Sequence, residues 1–231
     1  MHALKWGVLL CVLAAAGVGG KQLHRYAMDV RRFPIQEVKI IGDQKAISQS
    51  QLRQLLKPYL KQGFFGIKVR NLQNELHELG WVQDLSIRRK WPHTLVIHLR
   101  EYKLRARLQD DYGITEEGLL IEPKVDNYPS GIVQILGPKE AYKEMYDNLN
   151  TMEAMLAPLD LKLKLIVMAP RGAWTIKLDN GLEVFLGKKQ VLQRLARFVA
   201  VYPKIMATQT RPISYIDLRY TSGIAVGWKN A

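Results

Sequence analysis

The run Tyr215-Ile216-Asp217-Leu218-Arg219-Tyr220-Thr221-Ser222-Gly223-Ile224-Ala225-Val226-Gly227-Trp228 constrains this chain more than any other stretch. Most of it is apolar, aromatic or β-branched, which suits strands. Asp217 and Arg219 interrupt it two positions apart, and in a strand that spacing places both on one face. Ser222-Gly223 supplies the turn, so the run reads as a pair of strands. Three residues follow Trp228. That position predicts a strand at a sheet edge, where unpaired N–H and C=O groups are open to a partner strand. The same composition also fits an ordinary hairpin closing a β-domain.

At the other end, Trp6 to Gly20 carries no charge. Fifteen helical residues cover about 22 Å, short of the roughly 30 Å hydrocarbon core of a bilayer. Trp6 and Tyr26, twenty residues apart, match that thickness and suit its two interfaces, with Lys21 and Arg25 snorkelling outward. A transmembrane helix is therefore expected over 6–26, after a short cytoplasmic tail at 1–5. A cleaved signal peptide is the rival, with Ala14-Ala15-Ala16-Gly17 as the small-residue site. The single cysteine, Cys11, lies inside the apolar run, so no intramolecular disulfide and no Cys-based zinc site can form.

The net charge of +13 is uneven: residues 22–100 carry +8 and residues 101–231 only +3. A basic segment beside an apolar run is attracted to anionic headgroups, although nucleic-acid binders are basic too. Lys21, Arg25, Arg31 and Arg32 follow the run, whereas Lys5 and the terminal amine precede it. By the positive-inside rule alone, the bulk of the chain would stay in the cytoplasm.

Residues 33–101 read strand, helix, helix, strand, strand. Val38-Lys39-Ile40-Ile41 is a short strand. Ser48 and Gln51 form a capping box for a helix bearing Leu52, Leu55, Leu56, Tyr59 and Leu60. Asn71 is placed to cap a second helix, with Leu72, Leu76 and Leu79 as its stripe and Gly80 at C′. Two alternating runs follow, Leu85 to Trp91 and Leu95 to Leu99, joined by Trp91-Pro92-His93-Thr94. From Tyr102 the chain is mostly strands. Asp179-Asn180-Gly181 joins 174–178 to 182–186 as a hairpin. Leu161, Leu163, Leu165 and Val167 alternate with lysines. Two helices interrupt: one striped by Tyr142, Met145, Tyr146, Leu149, Met152 and Leu156, ending before Pro158; the other by Val191, Leu192, Leu195, Phe198, Val199 and Tyr202, ending before Pro203. The expected class is α+β.

Little suggests catalysis. The five histidines have no metal spacing, no Gly-x-Ser-x-Gly is present, and Gly187-Lys188-Lys189 lacks the upstream glycine of a phosphate loop. Asp110-Asp111 and Glu116-Glu117 fall in turn-rich sequence and read as solvated loop charges. In Arg88-Arg89-Lys90-Trp91, alternation puts Arg89 with Trp91 and Arg88 with Lys90, which describes a half-buried strand with a snorkelling arginine better than a nucleic-acid surface.

Several blocks in one order resemble the FtsQ/DivIB family of bacterial cell-division proteins: Gly80-Trp81-Val82; Ile87 to Pro92; Leu136-Gly137-Pro138; Arg171-Gly172-Ala173-Trp174; Leu186-Gly187; Arg194 to Phe198; and Tyr215 to Tyr220 with Ser222 to Trp228. The resemblance covers roughly residues 33 to 228. It implies a POTRA domain (β-α-α-β-β) at 33–101, then a mostly antiparallel β-domain with two helices at 102–231. It implies a single-pass inner-membrane protein, cytoplasmic at its N-terminus and periplasmic in its bulk, enriched at the division septum. Its implied job is scaffolding, without enzymatic activity, cofactor, metal, small-molecule substrate or nucleic acid. The implied partners are FtsB- and FtsL-type proteins and other divisome components. A short FtsB segment is expected on Arg171, Arg219, Tyr220, Ser222 and Gly223, with the arginines reading carboxylates in bidentate fashion. Arg107 stands where the family usually has an aromatic, which puts the first strand of the β-domain in question. The alternatives are a POTRA-bearing transport or chaperone component and a membrane-tethered nucleic-acid binder.

Overall fold

The chain divides after Glu101 into two units, Met1–Glu101 and Tyr102–Ala231. The computed structural model describes residues 2–124, 128–208, 211–221 and 223–229, with side chains described from residue 13 onward.

The first unit begins with helix α1, His2–Ala27. Among the described residues, no helix is long and apolar enough to cross a membrane. Helix α1 covers the span expected at 6–26, and its uncharged run ends at Gly20. Beyond α1 come strand β1 (Glu37–Ile41), helices α2 (Gln49–Leu60), α3 (Gly63–Gly66) and α4 (Val69–His77), and strands β2 (Val82–Lys90) and β3 (Thr94–Glu101). The sheet order is β1-β3-β2, with β1 parallel to β3 and β2 antiparallel to it. The helical stretch between β1 and the last two strands carries the chain over the sheet, which lets β1 run parallel to β3.

The capping box is present: the Ser48 hydroxyl accepts from the Gln51 N–H, and the Gln51 side chain accepts from the Ser48 N–H. Asn71 does not cap α4. The helix starts two residues earlier, after Lys68, whose N–H is taken by the Gln62 side chain at 3.0 Å. Gly80 adopts φ +75 as a helix-ending glycine does, one place beyond C′, because α4 closes on Glu78. Arg89 reaches the carbonyls of Phe64 and Phe65, while Trp91 lies past the end of β2 and is exposed. Leu52, Leu56, Leu72, Leu76, Trp81 and Ile97 form the core. Leu76 is 0 % exposed, so Leu76→Ala is expected to lower the stability of this unit by about 2–5 kcal/mol. Denaturant unfolding followed at Trp81 measures it, and an unchanged midpoint would contradict this packing.

The second unit is one nine-stranded sheet in the order β12-β11-β10-β9-β8-β7-β4-β5-β6. Its strands are β4 (Leu104–Leu108), β5 (Tyr112–Thr115), β6 (Leu120–Ile121), β7 (Val133–Leu136), β8 (Leu163–Met168), β9 (Trp174–Leu178), β10 (Glu183–Gly187), β11 (Ile213–Asp217) and β12 (Ala225–Trp228). Helices α5 (Tyr142–Leu156) and α6 (Val191–Thr208) pack on it and on each other. Pairing is mostly antiparallel. The parallel joins include β7–β8 and β10–β11, the two places where a helix carries the chain back across the sheet.

Three expectations change here. Helix α6 continues through Pro203 to Thr208; Pro203 is exposed, so water can serve the carbonyl that the ring deprives of its partner. In β8 a bulge between Leu163 and Leu165 shifts the alternation, so Ile166 and Met168 face the core and Leu165 and Val167 do not. Finally, β4 forms despite Arg107. Ala106 and Leu108 are buried on one face, and the Arg107 guanidinium on the other lies 4.2 Å over the Tyr128 ring and donates to the Asp110 carbonyl.

Candidate functional site

Strand β12 has one neighbour in the sheet, β11, and so forms an edge. The two are antiparallel, pairing Tyr215 with Gly227, Ile216 with Val226 and Asp217 with Ala225. A bulge between Ile213 and Tyr215 shifts the register. The Tyr215 ring crosses Gly227 so closely that a Cβ there would collide with it, and it meets Phe185 edge-on at 5.6 Å. Glycine at 227 therefore lets an aromatic lie against the strand backbone.

The strand register brings three connections to one end of the sheet. Met168 pairs with Trp174, Trp174 with Gly187, and Phe185 with Asp217, which pairs with Ala225. The segments 169–173, 187–190 and 218–224 therefore share that end. Arg171 is exposed in the first, beside Gly172 at φ +81. A Cβ on Gly172 would touch Lys188, and one on Gly187 would touch Arg219. The two arginines singled out by sequence thus belong to one basic end, with Gly187 and Lys188, at the end of β10 and just beyond it, between them.

Arg219 is engaged internally. Its Nε donates to both oxygens of Asp217 at 2.9 and 3.0 Å, and its Nη2 donates to Oδ2 at 2.6 Å. The Arg219 backbone N–H also donates to Asp217 Oδ1. The bidentate fork expected to read a partner's carboxylate already holds one of this chain's own. Two residues of separation put both on one side, as the alternation implied, although Arg219 lies beyond the end of β11.

The following segment is held from above. Arg197 on α6 donates to the carbonyls of Leu218, Tyr220 and Thr221 at 2.8, 3.0 and 3.1 Å. Arg194, one turn earlier, donates to the carbonyls of Leu186 and Arg219. Two guanidinium groups thereby hold four successive carbonyls of the connection after β11, those of Leu218 to Thr221, and one of β10. With its backbone fixed, Tyr220 points outward at 59 % exposure. Gly223 is exposed, and Ser222 lies outside the described residues. In the sequence Arg194 and Arg197 stand out only as members of the family-like block Arg194 to Phe198; their hold on residues 218–221 depends on contacts across more than twenty residues.

The Asp217 carboxyl is 5 % exposed and titrates below its ordinary value, because Arg219 bonds it; burial pushes the other way and loses. A lowered folded value means stability present above the unfolded carboxyl value of about 3.9 and lost as pH falls through the folded one. The stability gap between the wild type and Asp217→Asn is accordingly expected to be full at neutral pH and to close in strong acid. A gap of the same size at both ends of an acid titration would contradict the pairing.

The C-terminal domain model of the cell division proteins FtsQ/DivIB matches residues 104–219, and the FtsQ-type POTRA domain model matches residues 33–102. The chain belongs to the FtsQ/DivIB family. Its relatives include the cell division protein FtsQ of Escherichia coli, 32 % identical over 95 % of this chain and 82 % of that protein. That of Coxiella burnetii is 31 % identical over 87 % of this chain and 82 % of its own length. That of Xanthomonas campestris is 33 % identical over 84 % and 70 %. The FtsQ/DivIB match ends on Arg219, so the arginine–aspartate pair falls inside it and the Tyr220 to Trp228 edge follows directly.

Proposed function

We propose that this chain is a non-enzymatic scaffold of the divisome, linking early and late division proteins by binding an FtsB/FtsL-type complex in the periplasm. The observation that carries this reading is the free edge of β12 beside a clamped backbone that presents Tyr220. An extended FtsB-type segment adds to that edge, drawing affinity from its main chain and specificity from Tyr220, Ser222 and Gly223. Arg171, which no ion pair engages among the described residues, reads the partner's acid side chains. Arg219 contributes its remaining positive edge and keeps Asp217 from repelling them.

In the same reading, residues 33–101 are the POTRA domain, 102–231 the β-domain, 6–26 the anchor in the inner membrane and 1–5 a cytoplasmic tail. Helix α1 supports the anchor: Leu13, Val18 and Leu23 are all more than half exposed, so the helix needs an apolar environment that the chain itself does not supply. A periplasm-active reporter fused after Ala231 is expected to be active, and alkali should leave the protein in the membrane. A soluble product starting near Gly17, or a cytoplasmic C-terminus, would contradict the anchor. For the role itself, depletion in the native bacterium should give filaments without septa, and a fluorescent fusion should gather at midcell. Normal division in depleted cells would sink the divisome reading.

A further inference from the structure

The first unit contains a groove of about 890 Å³ between the edge strand β1 and helix α2. Val38 and Ile40, alternate residues of β1, and then Gly42 form one wall. Strand β1 is paired with β3 alone, so its other backbone edge is open. Arg53, Lys57 and Lys61 stand on the opposite wall, and Lys45 stands at the loop between. All four are exposed, and no ion pair engages them among the described residues. Among the described residues no acidic one lines the groove, Asp43 on the same loop included.

We propose that this groove binds an extended acidic peptide segment of a partner protein, which adds a strand to β1 and lays its carboxylates against the α2 cations. The spacing favours a strand. Arg53, Lys57 and Lys61 are four residues apart, and four residues of helix rise about 6 Å. Alternate side chains of a strand repeat every 6.6 Å or so. Acids at every second position therefore fall nearly in step with the cations. The partly covered Val38, Ile40 and Leu60 leave apolar surface for the methylenes of glutamate. The open end is preformed, because the buried Glu101 carboxylate fixes the N–H groups of Lys45, Ala46 and Ile47 at 2.8 Å each. Preorganisation of that kind raises affinity by lowering the ordering cost on binding. The inference does not depend on the C-terminal surface.

The test is fluorescence anisotropy of a labelled ten-residue peptide of alternating Val and Glu, titrated with the full chain in neutral detergent. Binding is expected with a dissociation constant below about 100 µM and should weaken with salt. The Arg53→Glu/Lys57→Glu variant should bind more than about tenfold more weakly with an unchanged melting point, while Tyr220→Ala should bind as the wild type does. The same peptide with Lys for Glu should not bind, and a version with alternate amides N-methylated should lose most of its affinity. Arg53→Gln/Lys57→Gln serves if charge reversal disturbs folding. Absence of binding, equal affinity in the α2 variants, or equal affinity of the N-methylated peptide would overturn the proposal. Equal competition by an oligonucleotide of the same charge would also overturn it, reducing the groove to a nonspecific anion patch.

Discussion

Glu101→Ala is expected to lower the unfolding free energy of the N-terminal unit by about 3–6 kcal/mol, more than a typical core truncation. Glu101 is 8 % exposed at the end of β3, and its two oxygens accept from three consecutive backbone N–H groups, those of Lys45, Ala46 and Ile47. Alanine would leave those donors without an acceptor, two of them on buried residues, and each orphaned donor costs about 1–3 kcal/mol. The loop they belong to leads into the capping box of α2, so the loss spreads to the start of that helix. Glu101→Gln should fall between, since an amide keeps one acceptor oxygen and replaces the other with a donor. Denaturant unfolding of the three proteins, followed at the buried Trp81, measures the series. An alanine variant within 1 kcal/mol of wild type would show that water replaces the carboxylate freely and that the loop is not held by it.

Tyr220→Ala is expected to weaken binding of an FtsB-type segment by more than about 2 kcal/mol, roughly thirtyfold, while leaving the melting point where it is. Separate groups carry the two halves of that statement. The exposed ring supplies contact area, and Arg197 supplies position by donating to the carbonyls of Tyr220 itself and of Thr221. Arg197→Ala should therefore also weaken binding, although its side chain is a positioning group rather than a contact. Unlike Tyr220→Ala, it should speed hydrogen exchange in 218–221. Arg171→Glu should weaken binding at constant stability. Arg219→Glu should do both kinds of damage, because it sets a second carboxylate against the buried Asp217. Lost binding with an equally lowered melting point in Tyr220→Ala would assign that ring to the fold instead.

What could be read from sequence follows the range of the interactions. Ser48 with Gln51, and Asp179-Asn180-Gly181, work through neighbours three residues away or fewer, so their patterns are complete in the sequence. The stripes of α5 and α6 are legible for the same reason, since burial repeats with the helix. Pro203 misled because a proline's cost depends on whether its face meets water, which is a tertiary fact. The β8 bulge misled because one inserted residue moves every later side chain to the other face. Asn71 offered a cap, but α4 already begins at Val69 and takes no side-chain cap, Gln62 binding only the N–H of the preceding Lys68.

The candidate site divides the same way. The edge strand is local, and Asp217 and Arg219 meet across two positions; the expected Ser222-Gly223 turn lies partly outside the described residues. Glu101 with Lys45 to Ile47, and Arg197 with Leu218 to Thr221, join residues far apart in the chain through carbonyl and amide groups that every residue carries. No residue type marks the far partner of such a bond, so only the fold reveals it.

The central claim is strand addition at β12, and backbone hydrogen exchange tests it most directly. The full chain in detergent is exchanged with and without a saturating FtsB-type segment. The account predicts slowed exchange of amides in Ala225–Trp228 and of the adjoining 219–221 segment, with the remote edge at β6 unchanged. Saturated binding with unaltered exchange along β12 would contradict it.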